Sequence, residues 1–373
     1  MRTPPFCPNR HCPMHWPSEA KAQGRFWRRA GHYHARRGGE LQRFQCRLCL
    51  HRFSETTFSL DYCAKRRVSY HRLLALLVHS ASIRGAARQL HVSPAAVTLR
   101  LAKLARQALA LHAALSPHAR GTAEPLVADG LESFWVSQYY PNHFNTLVGA
   151  HSQFVYAVTA ATLRRSGRMT PYQRARRAAL EHRDRPDSGE LTRRFTELLA
   201  EAVPLWQPRA PADRTLITDR HTAYPRALAS IPLAGITHIR ISSRLPRTLE
   251  NPLFAVNYID RQIRKDLAEH RRETVCFARN AAASVQRMWV YVGYHNYRKP
   301  FRIGVGVRET HAERAGVPRH ALAAALRHSL TRRAFLSHTA LSAPMLRAWV
   351  GAEHTPLRAD AINERITPRY ALE

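Results

Sequence analysis

Pro125-Leu126-Val127-Ala128-Asp129-Gly130 is a short apolar run closed by an acid, and Thr215-Leu216-Ile217-Thr218-Asp219 repeats the pattern later in the chain. Aliphatic runs this short, bounded by turn formers, read as strands buried on both faces. Sites in open α/β sheets form beyond the carboxyl ends of such strands. The pair therefore predicts an α/β domain with Asp129 and Asp219 at strand ends. Further strands are expected at 144–149, 154–160 and 237–241, and long helices at about 253–270 and 281–296. The stretch 164–202 reads as mostly helical and strongly basic.

A third acid comes from helix geometry. Asp and Glu together number only 26, so an acid on an apolar face is informative. At 100° per residue from Val256, the residues Ile259, Ile263 and Leu267 fall within about 60° of the origin and Asp260 at about 40°. Asp266 and Glu269 fall on the outer face or its edge. A carboxylate aimed into an apolar face is costly unless compensated, and a divalent cation compensates it. Asp129, Asp219 and Asp260 around two Mg²⁺ or Mn²⁺ ions would support in-line phosphoryl transfer. Glu250, just before the helix, is the alternative third acid. Taken singly, each acid has a plainer use as a cap or an ion-pair partner.

Near the amino terminus stand Cys7-Pro-Asn-Arg-His-Cys12 and Cys46-Arg-Leu-Cys49, separated by 33 residues. Two short cysteine pairs make two knuckles that close on one tetrahedral Zn²⁺, and the metal supplies folding energy that so small a module lacks. A disulfide framework is the competing use of the same residues. His11 and His15 are spare nitrogen ligands. Phe44, Phe53 and Phe58 suit hairpin strands beside the metal. Phe26, Trp27, His32, Tyr33 and His34 lie between the knuckles, where stacking on the ribbon competes with nucleic-acid contact. Cys63 and Cys276 are left over and read as inert packing residues.

Composition points to the partner. Lys plus Arg number 58 against the 26 acids, a formal charge of +32. Residues 1–112 hold 20 Lys/Arg and 4 Asp/Glu, so half of that excess sits in the first third. Such a charge favours a polyanion, and arginine gives forked contacts to phosphate. An arginine-rich drift in a GC-rich genome is the competing explanation. The opening residues carry no apolar signal region, and the aliphatic run Leu73-Leu74-Ala75-Leu76-Leu77-Val78 is too short to span a bilayer. A soluble, reducing compartment is expected.

From Val68 the pattern becomes helical. Ser82-Ile83-Arg84-Gly85-Ala86-Ala87-Arg88-Gln89-Leu90-His91-Val92-Ser93-Pro94 joins one helix to the next, with Ser93 as N-cap and Pro94 as first helical residue. Val97, Leu101 and Leu104 form one stripe. Arg100, Lys103 and Arg106 lie elsewhere. This is helix-turn-helix spacing, and 94–106 is the expected recognition helix, with Thr98, Arg100 and Lys103 toward DNA. Arg164 and Arg165 are expected to hold backbone phosphates. Residues 115–124 read as a linker.

The whole order resembles bacterial insertion-sequence transposases of the DDE type that carry an N-terminal zinc ribbon and helix-turn-helix. The resemblance spans roughly 5–315. It rests on the two cysteine pairs, Phe53-Ser-Glu-Thr-Thr-Phe58, Ile83–Leu104, the runs ending at Gly130 and Asp219, Asn257-Tyr-Ile-Asp-Arg261, Arg272-Glu-Thr-Val-Cys-Phe277, and Tyr294-His-Asn-Tyr297 before Pro300. It implies an α/β, RNase H-like catalytic domain at 124–304, with a basic helical insert at about 163–210. A ribbon at 1–62 and a helix-turn-helix at 63–113 would precede it, and a basic helical region at 305–373 would follow. It implies Mg²⁺ or Mn²⁺ dependence and strand cleavage and transfer on double-stranded DNA, both the element's ends and its target. It also implies a homo-oligomer on that DNA, at the bacterial nucleoid in the cytoplasm. Asp129, Asp219 and Asp260 take the three acidic positions, although the family commonly carries Glu at the third. A DNA-binding regulator derived from an inactive transposase, or a nuclease that cuts without joining, would use many of the same residues.

Overall fold

Side chains alternate along a strand, and here that alternation divides the interior in two. The computed structural model describes residues 3–35, 39–121, 124–271, 274–304, 306, 308–358 and 367–373. β1 (Trp27–Ala35), β2 (Gly39–Cys46) and β3 (Arg52–Ser54) form an antiparallel sheet at the amino-terminal end. β4 (Leu126–Phe134), β5 (Pro141–Gly149), β6 (Val155–Thr162), β7 (Thr215–Asp219) and β8 (Thr237–Ile241) form a second sheet in the order β6-β5-β4-β7-β8. β4, β5 and β6 are an antiparallel meander, whereas β4–β7 and β7–β8 pair in parallel. The protein is thus mixed α/β with a mixed sheet. Leu126, Ala128, Leu147 and Leu216 enter one apolar cluster, and Val127, Leu131, Val148 and Ile217 enter the other.

The helices are α1 (Pro17–Ala22), α2 (Tyr70–Val78), α3 (Ile83–Gln89), α4 (Pro94–Leu115), α5 (Pro171–Glu181), α6 (Glu190–Ala200) and α7 (Val203–Trp206). They continue with α8 (Ala223–Ala229), α9 (Phe254–Asp266), α10 (Ala281–Tyr297), α11 (His311–Arg314), α12 (Arg319–Leu326) and α13 (Ala343–Val350). Ser69, Ser82, Ser93, Thr170 and Asn280 each accept a backbone N–H of the first turn, so sequence-legible caps start five of them. Residues of α2, α3, α4, α9 and α10 share the cluster on one sheet face, and α6, α7 and α8 cover the other. Among the described residues no helix is long and apolar enough to cross a membrane.

Several expectations change here. The segment expected to be a separate helix-turn-helix is not a module apart: residues of α2, α3 and α4 share one core with the sheet and α9. α4 runs past the recognition segment and packs on α10, where a Cβ at Gly293 would lie 2.8 Å from that of Ala108. Farther along α4, His112 lies 2.9 Å from the Tyr156 carbonyl through Nε2 and 2.9 Å from the Tyr297 hydroxyl through Nδ1. The linker expected at 115–124 is instead the end of α4, a 3₁₀ turn and a buried Glu124 (residues 122 and 123 lie outside the described set). Glu124 accepts N–H bonds from His151 and Ser152. Within the expected insert, α6 buries Phe195, Leu198 and Leu199, which makes it a layer of the domain. The helix expected to reach residue 270 stops at Asp266, because Leu267 is extended.

Two acids near that stop also differ from expectation. Asp266 and Glu269 are buried, not outward. Asp266 accepts a bond from the Tyr291 hydroxyl at 3.0 Å, and Glu269 pairs with Arg287 at 3.4 Å. Cys63 and Cys276 are exposed, so neither packs a core.

Candidate functional site

Four thiols converge where the ribbon's knuckles meet. Cys7 Sγ lies 3.6 Å from Cys49 Sγ and Cys12 Sγ lies 3.8 Å from Cys46 Sγ. The four sulfurs all lie within 4.8 Å of one another. A tetrahedral zinc with Zn–S bonds of about 2.3 Å sets its sulfurs about 3.8 Å apart. A disulfide would need about 2.05 Å, so the bridged alternative is excluded. The arrangement can hold a zinc ion. Burial pushes the Cys12 thiol up to about 11 and Cys7 higher still, a penalty on thiolates that a bound cation would reverse.

The spare histidines are not ligands. His15 is buried, with Nδ1 2.8 Å from the Cys7 carbonyl and Nε2 2.8 Å from the Ser337 hydroxyl. His11 takes a bond from Arg10. Phe26 is buried in the ribbon core and Trp27 stacks edge-on to Phe44, while His32 and His34 stay exposed. The far carboxyl-terminal region closes this core. Phe335 meets Phe6 at 5.0 Å and Phe58 at 5.7 Å.

The acids meet on the larger sheet. The parallel register pairs Leu126 with Leu216 and Ala128 with Thr218, which sets Asp129 beside Asp219 on neighbouring strands. Strands lie about 4.8 Å apart in that direction. Alternation turns both acids toward the face that carries Val127 and Ile217. That face is covered by α9 through Val256, Ile259 and Ile263. Asp260 sits on α9 among these residues, and its Oδ1 is buried with no hydrogen-bond partner. Such an atom is costly to bury alone. Asp129 Oδ1 accepts the Gly130 N–H at 2.8 Å, and Asp219 Oδ1 accepts the His221 N–H at 2.8 Å.

The electrostatics agree with the placement. Burial, with the Asp219 charge added, raises Asp129 to about 6. Burial, with the Asp129 charge added, pushes Asp260 well above the ordinary carboxylate range. The Arg247 guanidinium offsets part of both shifts. Glu250 does not compete, since it is exposed and bonded to Thr248. Among the described residues the cysteines are the only set of three or more with all ligand atoms within 4.8 Å, so the three aspartates stand on a wider ring. The Asp219 charge acts on Asp129 and the Asp129 charge acts on Asp260, so Asp129 is the acid that links the other two.

Sequence reading missed the surroundings of the acids. Tyr224 is buried beneath them, and burial with all three acid charges raises its hydroxyl well above the usual range. The His143 ring fills the space beside Gly130, where a Cβ would lie 1.5 Å from the imidazole. Only the β4–β5 register, which sets His143 across from Glu132, could have placed it.

The side chains expected to face DNA are placed otherwise. Arg100 is 5% exposed and donates to the carbonyls of Ala96 and Arg66. Lys103 is 8% exposed, donates to the carbonyls of Leu60 and Tyr62, and is lowered by burial to about 8. Their long stems fold inward, so neither presents its charge to a groove. Thr98 is half-exposed and donates to the Pro94 carbonyl. The exposed cations of the helix pair are Arg84 and Arg88, one turn apart on α3. Arg164 is exposed but forks onto Glu181 with both bonds at 2.8 Å, and Arg165 stacks over Tyr139. Arg272 and Glu273, part of the 272–277 stretch read above, lie outside the described residues. No family model matches the chain, and neither a curated protein nor a solved structure matches it.

Proposed function

We propose that the chain is a DDE-type transposase that cleaves and joins DNA strands with the help of divalent metal ions. The observation that carries this is the buried, unpartnered Oδ1 of Asp260, set on the helix that covers Asp129 and Asp219. The mixed sheet, with its acids on the adjacent parallel strands β4 and β7, supports an RNase H-like reading of the domain. Asp129, Asp219 and Asp260 would hold Mg²⁺ or Mn²⁺, which when bound activates a water or 3′-hydroxyl and stabilises the leaving oxygen. In each transfer a new P–O bond forms to the attacking oxygen as the bond to the leaving 3′-oxygen breaks, with no covalent protein intermediate. The chain itself fixes the carboxylates: backbone N–H groups orient Asp129 and Asp219, and packing on the sheet orients Asp260. The ribbon, with structural Zn²⁺, and the helix pair supply the cationic surface for double-stranded DNA, with Arg84 and Arg88 replacing Arg100 and Lys103 as outward contacts.

The test is Mg²⁺-dependent cleavage and joining on DNA that carries the sequences flanking the gene. Wild-type protein should cut and join, and Asp129→Asn should bind the same DNA without cutting it. Cutting that survives Asp129→Asn would rule the reading out. Specific binding with no cutting by wild type would favour the regulator.

A further inference from the structure

A groove of about 510 Å³ opens between the end of β4, the start of β5, the segment after β6 and α9. Its described charged lining is Arg164, Arg165, Arg264 and Arg271 against the single acid Glu132. It lies farther along β4 and α9 than the acids of the proposed catalytic centre, which are not among its lining residues. Arg264 is one helical turn from Asp260 and lowers the carboxyl's pKa by its charge, while Glu132 lies three residues beyond Asp129, about 10 Å along the strand. Arg264 is itself anchored, through bonds to the carbonyls of His270 and Glu132. Arg271 is exposed and reaches Ser80, and Arg165 crosses to Gln138, so these two frame the open side. Phe134 adds an aromatic surface to the wall.

We infer that this groove holds a single DNA strand leading away from the bond on which the three aspartates act. The inference rests on the proposed strand-transfer reading. Clefts of a few hundred Å³ take ligands of drug or nucleotide size, too small for a duplex. A cationic groove with an aromatic surface is the arrangement that binds single strands through phosphate and base stacking. The four arginines come from three places, the segment after β6, α9 and the stretch that follows α9, so they track a backbone and do not clamp one phosphate.

The test uses the full chain, without added magnesium, and two probes. One is a blunt duplex; the other is the same duplex with a short oligothymidine overhang. Wild type should bind the overhang more tightly. Arg165→Gln with Arg271→Gln should remove about tenfold of that preference, weaken blunt binding far less than overhang binding, and flatten the overhang's salt slope by about 1.4. Equal weakening for both probes, or a wild type indifferent to the overhang, would overturn the inference. Cleavage in the same preparations separates the two claims. Magnesium-dependent cutting without overhang preference removes the groove and leaves the transposase reading standing. Overhang preference without cutting retains the groove and removes the reaction.

Discussion

Replacing His112 with Gln tests whether α4, which follows α3 in the helix pair, is built into the core of the five-stranded sheet. His112 is buried on α4, and burial lowers it to about 4. Its unfolded value is about 6.5. A group whose folded pKa is depressed loses stability as pH falls through that interval, because the unfolded chain takes up a proton that the folded one refuses. Between pH 7.5 and 5.0 the loss from this residue is about 2 kcal/mol. Asp129, raised to about 6, works in the opposite sense, since its folded form gains the proton first. The comparison of two proteins cancels that contribution. Gln can still offer an amide N–H and a carbonyl in place of the two ring nitrogens. Urea unfolding of wild type and His112→Gln, each at both pH values, should show the variant losing about 2 kcal/mol less across the interval. Equal losses would mean that His112 titrates normally, and hence that α4 is not docked on Tyr156 and Tyr297.

Other outcomes follow from the same packing. Elemental analysis should find one zinc per chain, and Cys46→Ser should remove it and melt the ribbon while the five-stranded sheet stays folded. Gly293→Val should cost about 1–3 kcal/mol, read as a lower urea midpoint, because its side chain meets Ala108 across the α4–α10 contact. Arg84→Gln with Arg88→Gln should lower the salt slope of duplex binding by about 1.8, whereas Arg100→Ala should lower stability by about 1–3 kcal/mol as the part-buried Ala96 and Arg66 carbonyls lose their bonds to the guanidinium.

Elements that depend on local pattern were legible in part: β4 runs on to Phe134, so Asp129 sits mid-strand and not at the strand end expected of it. The strand ending at Asp219 and the strand at 237–241 stand as read, and the helical phase from Val256 put Asp260 on the covered side. The same phase failed for Glu269 because it assumed a helix that Leu267 interrupts, and for Asp266, still helical at the edge of the stripe, because Tyr291 of α10 packs on that edge. Arg100 and Lys103 misled for another reason. Their charges suggested a DNA face, but long aliphatic stems can reach backbone carbonyls inside the protein, and only the packing of the segment around Leu60–Arg66 decides which happens. Long-range partners left no signal at all. Nothing in the local sequence announces that Phe335 completes the ribbon, that His143 occupies the space Gly130 leaves, or that α4 serves both the helix pair and the sheet.

The most direct measurement of the central claim is Mn²⁺ binding to the full chain, followed by electron paramagnetic resonance and competed with Mg²⁺. Wild type should bind the ion, and Asp129→Asn, Asp219→Asn and Asp260→Asn should each lose it. Glu250→Gln should bind as wild type does. Binding that survives Asp260→Asn but disappears with Glu250→Gln would contradict the assignment of the third acid and the site built around it.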